Sequence, residues 1–257
     1  MLLRRYMEHL RDQNWTAVWL DLVVVVLGIF LGMQVTQWSH DRADRQQEKI
    51  HLERLEQALD SNVDQLEKAI ALQSALLENH ARVIDLLKKG SWIETEDQFV
   101  RDNIVKITFW RAIDFDLGVI TSLTSSGEIN LIQNTDVQEA AFRILASDAT
   151  LDSQLDYWRN WYVDWFFGFT SAIGVDIDTD RLHYGETDVR TLSGVEKLAE
   201  NILVTAPKDQ LTSKVVRDTY TVAFPLRGNY LAHLRLFLKQ IKETRELVAE
   251  ERARLGA

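Results

Sequence analysis

The 257-residue chain contains no cysteine and only two prolines. Without cysteine it cannot form disulfides, thiolate zinc sites, iron–sulfur clusters or a cysteine nucleophile. Glycine is also scarce, with 11 residues. Because proline and glycine interrupt helices, their scarcity favours long helices over a β architecture rich in turns.

The chain also lacks an excess of basic residues. Its formal net charge is −10, and all of that charge lies after residue 38, because three arginines balance three acidic residues in positions 1–38. An acidic domain repels phosphate groups, so we expect no nucleic-acid partner. For the same reason we do not expect the domain to lie flat on anionic lipid.

Motifs of familiar catalytic chemistry are missing as well. The six histidines form no H-x-x-x-H pair, the one H-x-E (residues 51–53) lacks the cysteine ligands that accompany it in zinc enzymes, and no Walker loop, G-x-S-x-G or dinucleotide fingerprint occurs. Residues 176–180 alternate acidic side chains like a calcium loop, but Arg181 and Thr187 replace the glycine and glutamate that such a loop requires. We therefore predict a protein that is not an enzyme and that uses no metal ion or cofactor.

One long apolar run lies near the N-terminus. Residues 15–38 are mostly apolar, with Trp15 and Trp19 at one end and Trp38 at the other. A helix of this length is about 35 Å long, which is enough to cross a bilayer, and tryptophans favour the two membrane interfaces. The sequence predicts a single transmembrane helix over 15–38.

A cleaved signal peptide is the alternative interpretation of this run. Arg4 and Arg5 would form its basic start, and residues 22–33 its apolar core. No small-residue cleavage site follows, since residues 34–38 read Gln-Val-Thr-Gln-Trp. We therefore expect the anchor to be retained.

The orientation of the span depends on the residues that flank it. Basic residues are nearly balanced on its two sides, so their distribution gives little direction. The N-terminal tail, residues 1–14, is short and easily kept in the cytoplasm. We expect a cytoplasmic N-terminus and a periplasmic or extracellular domain.

An acidic residue lies inside the apolar run. At 100° per residue, Asp21, Val25, Gly28 and Gly32 share one stripe of the helix. The glycines form a G-x-x-x-G, which lets two helix backbones approach closely in lipid, and an intramembrane carboxylate tends to face protein. Three interpretations stay open: a hydrated or protonated carboxylate just below the headgroups, a contact with another membrane helix, and a proton or ion path through an oligomer.

The segment that follows the span, as far as Gly90, predicts a long charged helix because it contains no earlier glycine or proline. Its apolar positions Leu55, Leu66 and Leu77 repeat every eleven residues, which gives a nearly straight seam. The helix either continues directly from the span or breaks near Ser39. The seam needs a partner, either a later helix of the chain or a copy in an oligomer.

Helix signals continue to the C-terminus. Capping-box spacing at Thr95 and Gln98, and again at Thr135 and Gln138, marks two helix starts. Arg227 and Gly228 are interpreted as a turn between two helices. The predicted helices are 95–113, 135–173, 195–204, 209–224 and 228–254, with a turn at 124–134 and a loop at 174–194.

Residues 157–169 are the most aromatic part of the chain. Trp158, Trp161, Trp165 and Phe169 fall on one helical stripe. Large rings at this spacing favour a packed core. A ligand or peptide groove, or a contact with lipid headgroups, are the alternatives.

Together these elements predict an all-α fold: a single N-terminal transmembrane helix, a long helix and an antiparallel helical-bundle domain. The last helix, 228–254, has an apolar line beside a charged face, so we expect it to pack back along the long helix. The predicted parts are a tail at 1–14, the transmembrane helix at 15–38, a stalk at 39–90 and a helical domain at 91–257.

The span resembles the anchor of a family of uncharacterised bacterial single-pass membrane proteins. That anchor has an acidic residue, an aliphatic run, a glycine, a small residue four positions later, then Gln and Trp. The chain departs from it by having Asp21 where Glu is usual and Thr36-Gln37 where an Asn-rich exit is common. The resemblance covers residues 15–66, with a looser match over 120–145. The matching positions are Asp21, residues 23–27, Gly28, Gly32, Gln34 and Trp38, followed by Glu53, Leu55 and Leu59 and by the Ser-Ser-Gly-Glu-Ile-Asn-Leu-Ile-Gln-Asn segment at 125–134.

The resemblance implies a retained anchor in the bacterial inner membrane and supplies no activity. We expect a membrane-anchored interaction or scaffold module that forms a homo-oligomer or binds a partner membrane protein through Asp21, Val25, Gly28 and Gly32. The alternative is an extracytoplasmic sensor or ligand-binding domain with an aromatic pocket at Trp158, Trp161 and Trp165. An enzyme of a type without recognisable motifs is a third alternative.

Overall fold

A computed structural model describes residues 15–108, 115–178 and 192–256. It confirms the all-α class. The chain divides into two units, residues 1–50 and residues 51–257. The described elements are α1 (Trp15–Lys89), α2 (Glu94–Ile104), a 3₁₀ helix (Val105–Thr108), α3 (Gly118–Ser126), a second 3₁₀ helix (Glu128–Leu131), α4 (Thr135–Ile173), β1 (Val175–Ile177), α5 (Leu192–Ala199), β2 (Ile202–Val204), α6 (Lys208–Leu211) and α7 (Lys214–Gly256).

The first helix does not break near Ser39, because α1 is continuous over its whole span. It ends where the sequence predicts, with Lys89 as the last helical residue. Gly90 follows with a positive φ of 67°, and its N–H donates to the Leu86 carbonyl at 3.1 Å. A residue with a side chain adopts this left-handed conformation only with strain, so glycine ends the helix here.

The first core of the second unit is formed where α1, α3, α4 and α7 meet. The helices α1 and α7 run antiparallel here, because residues later in α7 pair with residues earlier in α1. Lys242 binds Glu67 at 2.6 Å, Arg245 binds Asp60, and Arg252 binds Glu56. We refer to the cluster as the first core. Its buried members are Leu52, Leu55, Leu59, Leu66, Leu117, Ile120, Leu123, Ile129, Ile132, Val137, Ala141, Ile144, Leu151, Leu155, Tyr230, Leu234, Phe237, Ile241 and Val248.

A second core gathers the C-terminal end of α1, the α2 region, the end of α4 and the beginning of α7. Arg101 of α2 joins it to β2, because its guanidinium donates to the carbonyls of Val204 at 2.8 Å and Ala206 at 2.9 Å. We refer to this cluster as the second core. Its buried members are Val83, Ile84, Leu86, Leu87, Trp92, Val100, Ile104, Val105, Ile107, Trp165, Phe169, Ile173, Ala199, Val204, Ala206, Leu211, Val216, Tyr220 and Ala223.

The predicted turn at Arg227 and Gly228 is wrong. The helix α7 continues through both residues and contains Pro225. Proline has no N–H to donate to the preceding turn of a helix, and Pro225 is an exposed residue of α7. Burial of Ala223 and Arg227 on either side of it holds the helix in place.

The two predicted capping boxes are displaced by one or two residues. The helix α2 begins with Ile93 as its N-cap, and the Glu96 carboxylate accepts from the Ile93 N–H at 3.0 Å. The helix ends at Ile104 and continues as a 3₁₀ turn to Thr108, beyond which residues 109–114 lie outside the described part. In α4 the cap is Asn134, whose side chain accepts from the Asp136 N–H at 3.0 Å; an amide oxygen caps more effectively than a threonine one position later.

The region after α4 differs most from expectation. The predicted helix over 195–204 is present in part, since α5 covers Leu192–Ala199, but residues 202–204 form β2 instead. Of the predicted loop over 174–194, residues 175–177 form β1, and residues 179–191 lie outside the described part. The strands β1 and β2 form a two-stranded antiparallel sheet that pairs Val175 with Val204 and Ile177 with Ile202. These β-branched residues favour extended backbone. The helix α4 does end near residue 173 as predicted. Gly174 follows with φ of 61°, and a Cβ there would lie 2.8 Å from Thr205 Oγ1.

The segment predicted as a turn at 124–134 is compact. The helix α3 reaches Ser126, and Gly127 follows with φ of 79°. A 3₁₀ helix then carries Ile129 into the first core, and Ile132 is also fully buried there. The inward orientation of these two side chains is confirmed, and Leu131 is half-buried.

Candidate functional site

The apolar run of α1 is exposed along its described length. From Trp19 to Trp38 the large apolar side chains expose between 40% and 67% of their surface. A continuous apolar face of this extent is rare on proteins that stay in water. Within the described residues, one helix is long and apolar enough to cross a membrane, and this run, near the N-terminus, is its apolar part.

The stripe that contains Asp21 is open. A Cβ built on Gly28 or Gly32 meets no other atom within 4 Å, so the backbone is accessible at both positions. The Thr36 hydroxyl donates to the Gly32 carbonyl at 2.9 Å, so its hydrogen bond is made within the same helix. The arrangement leaves a shallow surface of backbone beside a carboxylate, which suits close approach by another helix.

Beyond the run, Trp38 lies near a basic residue. The Arg42 guanidinium is 5.8 Å from the centre of the Trp38 ring. Arginine next to tryptophan is typical of the level where a span meets the headgroups. This pairing marks Trp38 as the end of the apolar run.

The aromatic segment of α4 is mainly core. Trp165 is 9% exposed, and its indole N–H donates to the Thr219 carbonyl of α7 at 2.9 Å. Its ring stacks on Trp161 and Phe169 at centroid distances of 5.9 and 4.8 Å. Trp161 is half-buried, while the side chain of Trp158 lies outside the described ones. The segment joins α4 to α7 through the Phe169 ring, whose centroid is 5.8 Å from that of Tyr220, and through the part-buried hydrogen bond of Trp165.

We expect Trp165→Phe to lower the free energy of unfolding by about 1–2 kcal/mol, since it removes ring area and leaves the Thr219 carbonyl without its indole donor. Chemical denaturation of the full chain in detergent measures the loss. Phe167→Leu is the matched control: Phe167 is on the same helix but 67% exposed, so its loss should stay within about 0.5 kcal/mol. Equal effects of the two substitutions would contradict the core assignment.

A buried polar layer lies where the two cores meet. We use this name for Gln73 and His80 of α1, Arg227 of α7, and Tyr220 of α7, which is also a member of the second core. His80 Nδ1 lies 2.8 Å from Tyr220 Oη. The Arg227 guanidinium donates to the Ile107 carbonyl at 2.6 Å and to Gln73 Oε1 at 3.3 Å. The layer thus ties α1, α7 and the first 3₁₀ helix together by side-chain hydrogen bonds in a place where water is excluded.

Burial controls the protonation of this layer. It lowers the pKa of Arg227 to about 10, so the guanidinium stays charged at neutral pH. Burial also holds the pKa of His80 well below its usual range, and the positive charges of Arg227 and Lys106 add to that effect. It raises the pKa of the Tyr220 hydroxyl. At neutral pH the layer therefore holds a cationic arginine, a neutral histidine and a neutral tyrosine.

Sequence reasoning missed this layer. His80 lies four residues from both Leu76 and Ile84, and Arg227 lies four from both Ala223 and Leu231, so both occupy core spacing on their helices. Polar residues at apolar positions were the available signal. Nothing in a single sequence shows which of them find buried partners.

A cavity of about 320 Å³ lies between α4 and α7. Leu151 and Phe237 of the first core line it, and its titratable lining residues are Arg143 and His233. The predicted aromatic pocket residues Trp161 and Trp165 do not line it.

Among the described residues, no three His, Cys, Asp or Glu side chains come together as a metal site. Comparison of the chain with protein-family models, with curated proteins and with solved structures gives no match.

Proposed function

We propose that this protein is a single-pass protein of the bacterial plasma membrane whose helical domain serves as an interaction or scaffold module. The span, residues 15–38, anchors the chain. Its stripe of Asp21, Val25, Gly28 and Gly32 binds another membrane helix, either in a second copy of the chain or in a partner protein. The N-terminus lies in the cytoplasm and the domain in the periplasm.

The exposure of the apolar run is the observation that carries this proposal. Fourteen large apolar side chains between Trp19 and Trp38 are exposed. Each contributes about 1.5–3 kcal/mol on leaving water. That sum exceeds by far the cost of placing Asp21 in the membrane, which is about 2.5–3.5 kcal/mol at its centre. Insertion is therefore favourable despite the carboxylate.

The open backbone at Gly28 and Gly32 supports association rather than anchoring alone. An anchor needs apolar length, which large side chains provide better than glycine. Glycines on the stripe of an acidic residue instead allow close packing, with the carboxylate in a protein contact.

Association is tested with a two-hybrid assay for membrane helices on the full chain. The test variant combines Asp21→Ala with Gly28→Leu. We expect it to weaken the free energy of association, with a second copy or with a membrane partner, by about 1–2 kcal/mol. That corresponds to roughly a five- to thirtyfold lower association constant. Membrane insertion is followed in parallel by alkaline extraction.

Val26→Leu is the control, because Val26 lies about 140° from Asp21 around the helix and also gains bulk, away from the stripe. We expect it to leave association unchanged. If the double variant associates as well as the unaltered chain, the stripe is not a contact surface. If alkali releases the unaltered chain, the anchor itself is rejected.

The alternative role is ligand binding at the aromatic segment. Trp165 takes part in the second core, so Trp161 is the more accessible of the two predicted pocket residues whose side chains are described. A ligand that binds there shifts tryptophan fluorescence in the unaltered chain but not in Trp161→Phe. A response that survives this substitution would rule out the aromatic site.

A further inference from the structure

We propose that the buried polar layer is an acid-sensitive latch: it keeps the second core closed at neutral pH, and protonation of His80 opens the second core while the first core stays folded. This role is separate from association through the span. It rests on the position of the layer, on the hydrogen bonds of His80 and on the charges that face it.

The layer lies between the two cores on both long helices. On α1, the last residue of the first core is Leu66 and the first of the second core is Val83, with the buried Gln73 and His80 between them. On α7, Arg227 is buried between Ala223 of the second core and Tyr230 of the first. A change in the layer therefore acts on the boundary between two apolar clusters.

The imidazole of His80 is fully buried and, among the described residues, has one hydrogen-bond partner. Its Nδ1 pairs with Tyr220 Oη, while its Nε2 is buried without a hydrogen-bond partner among the described residues. A protonated imidazole carries a proton on each nitrogen and needs two acceptors. Protonation in the closed state therefore leaves a charged N–H donor buried without an acceptor, which is strongly unfavourable.

The titratable groups that face His80 oppose its protonation. Arg227 of α7 and Lys106 of the first 3₁₀ helix are both buried cations that lower the pKa of His80, and Tyr220 is neutral. Lys106 Nζ donates to Asn103 Oδ1 at 3.1 Å, which holds its charge in place. Protonation of His80 adds a third positive charge to these two. Water can solvate that charge only when α1 and α7 separate at the layer.

The pH range follows from the direction of the shift. The ordinary pKa of an exposed histidine is about 6.5, and in the closed state the pKa of His80 is lower. Between these two values the open state binds more protons than the closed state. The stabilising effect of a neutral His80 is therefore complete above about pH 6.5 and is lost as the pH falls below it.

The second core opens first because its closure depends on the layer. The buried α7 residues of the second core lie in the short stretch from Val216 to Ala223. The first core instead joins α1 to α7 over many residues, with the ion pairs of Lys242, Arg245 and Arg252 outside it. Asp97, which bonds to Trp92 of the second core, does not contribute to this pH dependence. Burial raises the pKa of its carboxyl, but hydrogen bonds from Trp92 and Arg101 lower it further, so that the pKa lies below its ordinary value.

Hydrogen exchange of the full chain in detergent, measured between pH 7 and pH 5 and corrected for intrinsic exchange rates, tests the latch. We expect protection of residues 83–87, 100–107 and 216–223 to fall by up to about tenfold per pH unit below 6.5, the limit for one proton. Protection of residues 52–66 and 234–248 should stay constant.

His80→Gln is the decisive variant, because the amide keeps a hydrogen bond to Tyr220 and does not titrate. We expect it to abolish the pH dependence, while the control His51→Gln, at a buried histidine beside the first core, retains it. If His80→Gln does not fold, the apolar pair His80→Leu with Tyr220→Phe replaces it, with the same expected result. Loss of protection that persists without His80, or that spreads equally over both cores, would overturn the proposal.

Discussion

Arg227→Met lowers the free energy of unfolding of the second unit by about 3–5 kcal/mol, the largest effect we expect from one substitution. Methionine fills a similar volume but donates no hydrogen bond. The Ile107 carbonyl and Gln73 Oε1, which accept from the guanidinium, are then left buried without this donor. Each such group costs about 1–3 kcal/mol. Urea denaturation of the full chain in detergent, followed by circular dichroism, measures the change.

Arg235→Met is the matched control for this experiment. Arg235 lies on the same helix and donates to Ser74 of α1 at 3.3 Å, but this contact is exposed to solvent. Water replaces the lost donor, so the expected loss is below about 0.5 kcal/mol. A loss at Arg227 no greater than that at Arg235 would mean that the polar layer does not hold α1 and α7 together.

Asn62→Leu has the second largest expected effect, about 2–4 kcal/mol. Asn62 is fully buried, and its side chain pairs with both backbone groups of Asp116: Nδ2 donates to the carbonyl and Oδ1 accepts from the N–H, each at 2.9 Å. Leucine removes both hydrogen bonds of this part-buried contact and leaves the two backbone groups of Asp116 without their side-chain partner. Thermal or urea unfolding measures the loss of stability.

The structure also predicts where the effect of Asn62→Leu is felt. Asp116 precedes α3, so exchange of amides at the start of that helix should accelerate. Gln65→Leu is the control, since the Gln65 side chain donates to the exposed Ser61 hydroxyl at 3.3 Å, a contact that water can replace. If both substitutions cost the same, the paired hydrogen bonds of Asn62 contribute nothing specific.

The long helices could be predicted from the sequence because their signals are local. Gly90 ends α1, and Gly174 follows the predicted end of α4. The run of residues 41–89 without glycine or proline predicts the length of α1. These signals depend on backbone conformation within one turn, and no tertiary contact needs to be known to interpret them.

The rest depends on contacts that are distant in the chain. Pro225 and Gly228 are local signals for a break, but burial of Arg227 between the cores keeps α7 continuous. Residues 202–204 read as the end of a helix, yet they pair with β1. In both places tertiary structure overrides local propensity.

The candidate site also has one part that local sequence signals predict and one part that depends on distant contacts. The exposed apolar run is continuous in sequence and was predicted with the stripe of Asp21, Gly28 and Gly32. The polar layer joins His80 to Tyr220 across 140 residues of chain. A single sequence does not pair positions at that distance, so the layer became visible only in three dimensions.

The contacts between α1 and α7 determine when the domain can be completed. Lys242 meets Glu67 across 175 residues, and Arg252 meets Glu56 across 196. Contacts this distant in sequence form slowly, because a long loop must close first. The acidic residues of α1 leave the ribosome long before their basic partners in α7. The first core therefore closes only after the C-terminal helix has been synthesised, and a ribosome that stalls before residue 230 leaves its leucines uncovered.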